Sequence, residues 1–292
     1  MDWFALALLC AFSLASADAV TKRWLGQASA REIVLLRLGL TGVLLLPLTL
    51  SQPLPPLPFA FWAWMAILVP LELLAMLLYM RAVRDYPLAL TLPYLAFTPV
   101  FVTVTGWLLI GERVDAQGLA GILLVVAGSW LLNAGSPGPT HTAWTGPVRA
   151  IAANPGSRLM LLVALIYSFT SVGGKAAMQW LPARQFGPFY FLLVGGAALL
   201  LFGFRRHAGL GVLRRHPWAG LAVAVLSAVM VYTHFLALER VETAYMIAVK
   251  RTGLLFGILY GAVLFREPRL RRNLTAGGLM VAGVAIILVG RT

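Results

Sequence analysis

The chain has 292 residues, 60% of them hydrophobic and only 11% charged, with a mean hydropathy of +0.87. Soluble domains carry about 25% charged residues and bury at most about 75% of their unfolded surface, so a soluble enzyme, a nucleic-acid binder and a disordered tail are excluded. Lys and Arg number 23 against 10 Asp and Glu, a net charge of +13; in a membrane protein such an excess marks cytoplasmic loops.

From the N-terminus, residues 1–14 lack Lys and Arg and include the acidic Asp2, so Ala15-Ser16-Ala17 does not read as a signal-peptide cleavage site. The apolar runs of about 20 residues fall approximately at 3–20, 33–50, 59–80, 88–110, 116–134, 158–177, 186–204, 217–238, 244–265 and 273–290. They are continuous and too long for the alternating strands of a barrel, and so predict ten transmembrane helices, spans 1 to 10. The longest gap, Gly135 to Ser157, holds Pro137, Pro139, Pro147 and Pro155. It divides the chain into a first repeat over 1–135, a linker over 136–157 and a second repeat over 158–292.

A shift of 155 positions aligns the halves, placing Val126-Ala127-Gly128 on Val281-Ala282-Gly283, Glu112 on Glu267, Phe101 on Phe256, Ala82 on Ala237, and Ser13 and Ser16 on Ser168 and Ser171. Five spans per copy turn the second copy upside down. The predicted fold is therefore all-α and integral to the membrane, with ten helices as two inverted five-helix repeats. Transporters of the alternating-access type are built this way, with the solute near the midplane.

Charges inside the spans are Asp18, Arg37, Glu72, Lys175, Lys250 and Arg251, and each costs about 2.5–3.5 kcal/mol at a helix centre. Glu72 is roughly 13 Å from Arg81 at its helix end, and Lys250 roughly 12 Å from Glu242 on the opposite side, at 1.5 Å per residue. Long cationic chains can snorkel from this depth, but Lys250 and Arg251 point about 100° apart, so at least one faces inward. Asp18 lies one turn from Lys22 and reads as a local ion pair. Arg37, near its helix end, is open to a structural or a functional role. Four cations against two carboxylates give these spans an excess of positive charge, which attracts an anionic group. Arginine holds a carboxylate or phosphate by two hydrogen bonds and lysine as a point charge. The predicted solute is a small metabolite with an acidic group: an organic anion, an amino acid or a phospho-compound.

The candidate substrate-binding residues are Lys250, Arg251, Glu72 and Lys175, with polar partners Ser16, Tyr79, Tyr94, Thr98, Tyr167, Ser171, Tyr232, His234, Tyr245 and Thr252. Taken singly, each of the polar residues reads more often as a helix–helix contact. Two roles are open to Glu72: a carrier of a coupling proton, if burial dominates, or a counter-ion displaced by substrate, if Lys250 or Arg251 pairs with it. His234 is five residues before Glu239, which leaves a proton-relay role open. Pro93 and Pro99 are expected to bend span 4 where it lines a cavity. The 155-residue shift puts Pro93-Tyr94-Leu95-Ala96 opposite Ala248-Val249-Lys250-Arg251. Gly253, Gly257 and Gly261, Gly121, Gly128 and Gly135, and Gly283 and Gly290 read as helix-packing positions.

Pro87-Leu88-Ala89-Leu90-Thr91-Leu92-Pro93-Tyr94-Leu95-Ala96-Phe97-Thr98-Pro99-Val100-Phe101, closing at Gly111-Glu112-Arg113, resembles the fourth helix of the EamA-like branch of the drug/metabolite transporter superfamily. Ala248 to Gly253, closing at Arg266-Glu267-Pro268, resembles its ninth helix, and Arg37 matches the arginine usual in the second. The resemblance implies a ten-helix carrier whose cavity is lined mostly by helices 3, 4, 8 and 9, with help from 1, 2, 6 and 7. Leu254 departs from it where a proline is more usual, as does the Lys250-Arg251 pair.

The resulting prediction is a secondary active transporter in the plasma (inner) membrane, with a lipid flippase or a non-transporting structural subunit as the alternative. Enzyme motifs are missing, with no GxSxG, HExxH, Walker loop or GxGxxG. His141, His207, His216 and His234 are scattered, and the single Cys10 allows neither an internal disulfide nor a Cys-based metal cluster. No cofactor, metal or nucleic acid is expected; the partners are a solute, the lipid bilayer and, under one reading of Glu72, a coupling proton, in a monomer or homodimer. Numbering each loop by the span it follows, the odd loops carry 14 cations and the even loops and termini 4. The bias places the odd loops in the cytoplasm and both termini outside, whereas the resemblance implies termini inside.

Overall fold

The computed structural model describes residues 2–86, 94–133, 155–203, 215–265 and 270–290. The helices are α1 (Trp3–Trp24), α2 (Ala30–Leu50), α3 (Phe59–Asp85), α4 (Thr98–Ile110), α5 (Ala116–Asn133), α6 (Pro155–Ala177), α7 (Ala183–Gly203), α8 (Pro217–Leu238), α9 (Thr243–Lys250), α10 (Gly253–Phe265) and α11 (Leu270–Val289). Six of the described helices, α1, α2, α3, α6, α7 and α8, are long and apolar enough to cross a membrane. Shorter apolar helices occupy Thr98–Ile110, Ala116–Leu131 and Thr275–Val289. Pro93, the linker over 136–154 and Glu267 lie outside the described residues, as do Arg149, Arg205, Arg206, Arg214, Arg266, Arg269 and Arg291 among the loop cations. α6 begins at Pro155.

Two predicted spans are interrupted. Ala96–Phe97 forms a turn before α4, and Arg251–Thr252 forms a turn between α9 and α10, at positions 155 apart. Each interruption has a local cause. Before α4, the Thr98 hydroxyl donates to Leu95 O at 2.6 Å, and Pro99 supplies a fixed φ with no N–H to satisfy. Before α10, the Thr252 hydroxyl donates to Val249 O at 2.7 Å. Such side-chain bonds compete with the helical ladder. α4 and α9 therefore both run between an interruption and one end of the bundle, in opposite directions.

Loops 2, 4, 6 and 8 gather at that end. Phe61 at the start of α3 meets Trp180 of loop 6 with ring centroids 6.3 Å apart, and Glu239 accepts from Ala183 N at 3.1 Å. At the other end Trp24 of α1 packs edge-on against Trp218 of α8 at 4.6 Å. α1 thus terminates at the odd-loop end and α6, with Lys175 in its last turn, at the even-loop end.

Close contacts sit on glycines, as expected where apolar lipid leaves van der Waals packing to hold helices together. A Cβ at Gly121 would stand 2.7 Å from Gly283 O, and one at Gly128 would stand 2.6 Å from Ala276 O. Shifting by 155 and exchanging halves converts the first of these α5–α11 contacts into the second. α2 and α7 make a reciprocal pair: a Cβ at Gly42 would meet Phe191 O at 2.8 Å, and one at Gly195 would meet Leu38 O at 2.6 Å. Gly257 differs from its expected packing role, since nothing lies within 4 Å of a Cβ there.

Candidate functional site

A cavity of about 100 Å³ lies among α1, α2, α3, α6, α7, α8 and α9, with Leu95 completing its wall. Among the described residues α5 and α11 contribute nothing to it, so they form a scaffold outside the site. α2 presents Arg37 from a stretch of π-helix, Leu35–Leu40; such bulges re-aim side chains and recur at functional sites. Arg37 Nη1 lies 2.6 Å from Asp18 Oδ1, and the Tyr79 hydroxyl reaches the same carboxylate. Beyond the local pair expected with Lys22, tertiary packing brings an arginine 19 residues away to the carboxylate.

Lys250 ends α9 and Arg251 occupies the interruption, so both cations reach the cavity from a broken helix. Lys250 Nζ stands 3.4 Å from His234 Nδ1 and 3.7 Å from Met230 Sδ. An ammonium only donates, so Nδ1 is the acceptor in this contact. Arg251 Nη2 donates to Thr98 Oγ1 at 2.9 Å, joining the two interruptions. Glu72 of α3 faces the Thr170 and Tyr190 hydroxyls. Among the described residues no ion pair holds Glu72, Lys250 or Arg251. Among the described residues three buried side-chain polar atoms have no hydrogen-bond partner, Arg37 Nε, Ser227 Oγ and Arg251 Nε, and all three residues line the cavity.

The model of the EamA-like transporter family matches residues 1–134 and 154–289. The chain belongs to the EamA-like transporter family. Among 27 solved chains that match it, one titled only "Crystal structure of protein" superposes with a TM-score of 0.75 at 19% identity, covering 99% of this chain and 96% of that one. At that identity the likeness speaks for the fold. No curated protein sequence matches. The EamA-like assignment makes the molecule a multi-pass membrane transporter of small solutes.

Of the candidates read from the sequence of this EamA-like chain, Lys250, Arg251, Glu72, Tyr79, Tyr167, Ser171 and His234 line the cavity, and Thr98 touches it through Arg251. The others sit elsewhere. Ser16 bonds the Tyr260 hydroxyl at 2.6 Å. Tyr94 packs edge-on against Trp130. The Tyr245 hydroxyl accepts from Asp115 N at 3.3 Å, beside α5. The Thr252 hydroxyl donates to Val249 O, and Tyr232 is half-buried in α8. Lys175 lies at the even-loop end, 2.6 Å from Glu112. Sequence reading passed over Thr170, Tyr190 and Ser227. Tyr190 and Ser227 recur within apolar helices as any packing residue does, whereas Thr170 adjoins the chosen Ser171 and was within reach.

Proposed function

We propose that the protein is a secondary active transporter of the plasma (inner) membrane, with ten spans in two inverted repeats over 1–135 and 158–292, joined by a linker over 136–157. It carries a small solute bearing an acidic group by alternating access. The observation that carries this reading is the Lys250–Arg251 pair: two cations without an ion-pair partner among the described residues, at a helix interruption, facing a cavity with unpartnered donors. Buried charge is costly unless paired, and an acidic solute group would supply the missing pair. The antiparallel courses of α1 and α6 and the contacts exchanged by the 155-residue shift support the repeat. Proteoliposomes holding the purified protein should accumulate labelled small anions chosen by a thermal-shift screen. Movement of labelled lipid alone, or of nothing, would overturn the reading.

Glu72 carries the coupling proton in this scheme. Its carboxyl faces two hydroxyls and makes no ion pair among the described residues, so it is available to gain and lose a proton as the cavity changes sides. Glu72→Gln is expected to abolish solute-driven proton movement while exchange of anion for anion persists. Unaltered proton movement in that variant would return Glu72 to a structural role.

A further inference from the structure

Glu112 is placed by a left-handed turn. Gly111, at φ +69°, ends α4, and Glu112 N donates back to Gly106 O at 3.1 Å. A Cβ on Gly106 would stand 3.1 Å from Glu112 Oε2, so the glycine leaves room for the carboxylate against the helix. Among the described residues, that carboxylate's ion-pair and hydrogen-bond partners belong to the second half. Lys175 Nζ lies 2.6 Å from Oε1, Thr243 N donates to Oε2 at 2.9 Å and the Thr243 hydroxyl to Oε1 at 3.2 Å. Lys175 also donates to Val241 O at 2.5 Å. The Glu112 and Lys175 side chains are 13% and 22% exposed, dry enough for charge-assisted bonds to hold.

The cluster lies at the even-loop end of the bundle. α4 and α9 both lead from the cavity to this end, are joined at the inner end by Arg251 and Thr98, and are joined at the outer end by Glu112 and Thr243. The 155-residue shift maps Glu112 to Glu267, but Lys175 to Val20 and Thr243 to Leu88. By sequence, the shifted positions keep the carboxylate and have neither the lysine nor the hydroxyl; Glu267 and Leu88 lie outside the described residues.

We propose that Glu112, Lys175 and Thr243 form a one-sided lock: positioning residues that hold the even-loop mouth shut and bias the empty carrier toward opening at the odd-loop side. This rests on the transport reading above. The test uses a cavity cysteine, Ser171→Cys, in a Cys10→Ala background, labelled by a membrane-impermeant thiol reagent from each side, with Ser51→Cys in loop 2 marking the even side. With the lock intact, labelling from the odd side should be about tenfold faster than from the even side. Lys175→Met and Glu112→Gln should each raise the even-side rate and lower the odd-side rate, moving the ratio by about tenfold or more, whereas Lys175→Arg should leave it unchanged. Loosened packing would raise both rates together, so that result, or an unchanged ratio in both variants, overturns the lock. A cysteine reached from neither side in any variant overturns instead the cavity as a transport pathway.

Discussion

Replacing Arg251 with Leu is expected to cut anion uptake about 10- to 100-fold while the protein stays folded, with an equal or higher thermal midpoint. The two effects share a cause. Arg251 is buried, its Nε has no partner, and among the described residues its side chain bonds the neutral Thr98 hydroxyl. A buried charge in that condition costs stability, and the shorter, apolar leucine removes that cost. The same charge is what an acidic solute group would engage. A charge-assisted hydrogen bond contributes about 1.5–3 kcal/mol, and about 1.4 kcal/mol is a factor of ten in affinity. Uptake into proteoliposomes and a detergent melting curve on one preparation check both halves. Retained uptake, or a protein that no longer folds, would remove Arg251 from the site. Lys250→Met should behave similarly with a smaller loss, since its ammonium already contacts His234 and Met230.

Much of this arrangement was legible in the sequence because charge is expensive in lipid. Glu72, Lys250 and Arg251 stand out in apolar runs, and all three reach the cavity. The 155-residue shift set the expected bend at Pro93 and Pro99 opposite the charge pair, and the interruptions at Ala96–Phe97 and Arg251–Thr252 are 155 positions apart. The break at Arg251–Thr252 contains no proline. It arises from a hydroxyl bonded to a carbonyl three residues back, which residue type alone does not announce. The Asp18–Arg37 pair was hidden for another reason. Local spacing ranks the lysine one turn away, whereas the observed partner arrives through packing of α2 on α1. Helices apolar on both lipid-facing and core-facing sides have little periodicity, so their inward residues cannot be phased from sequence. Tyr190 and Ser227 were missed on that account, and Tyr94 and Tyr245 were included although they pack outside the cavity.

The largest structural loss is expected from Gly121→Val, because α5 and α11 approach with backbone carbonyls against glycines. A Cβ at Gly121 would stand 2.7 Å from both Gly283 O and Ile287 Cγ1, and one at Gly283 would stand 2.6 Å from Gly121 O. Neither carbonyl can rotate away without breaking its own helix, so the helices must separate. Overpacking of this kind costs about 1–3 kcal/mol or more, enough to lower the folded fraction of a marginal membrane protein about tenfold. Gly128→Val should do the same, since a Cβ there would meet Ala276 O at 2.6 Å. Gly257→Ala is the control. It fills open space and replaces glycine by the best helix former, a gain of about 1 kcal/mol. Because Gly121 and Gly283 share one contact, the double variant Gly121→Val with Gly283→Val should lose less than the sum of the single losses. Monodisperse protein by size-exclusion chromatography and the thermal midpoint read all of these. Equal behaviour of Gly121→Val and Gly257→Ala would mean that α5 and α11 do not meet on this seam.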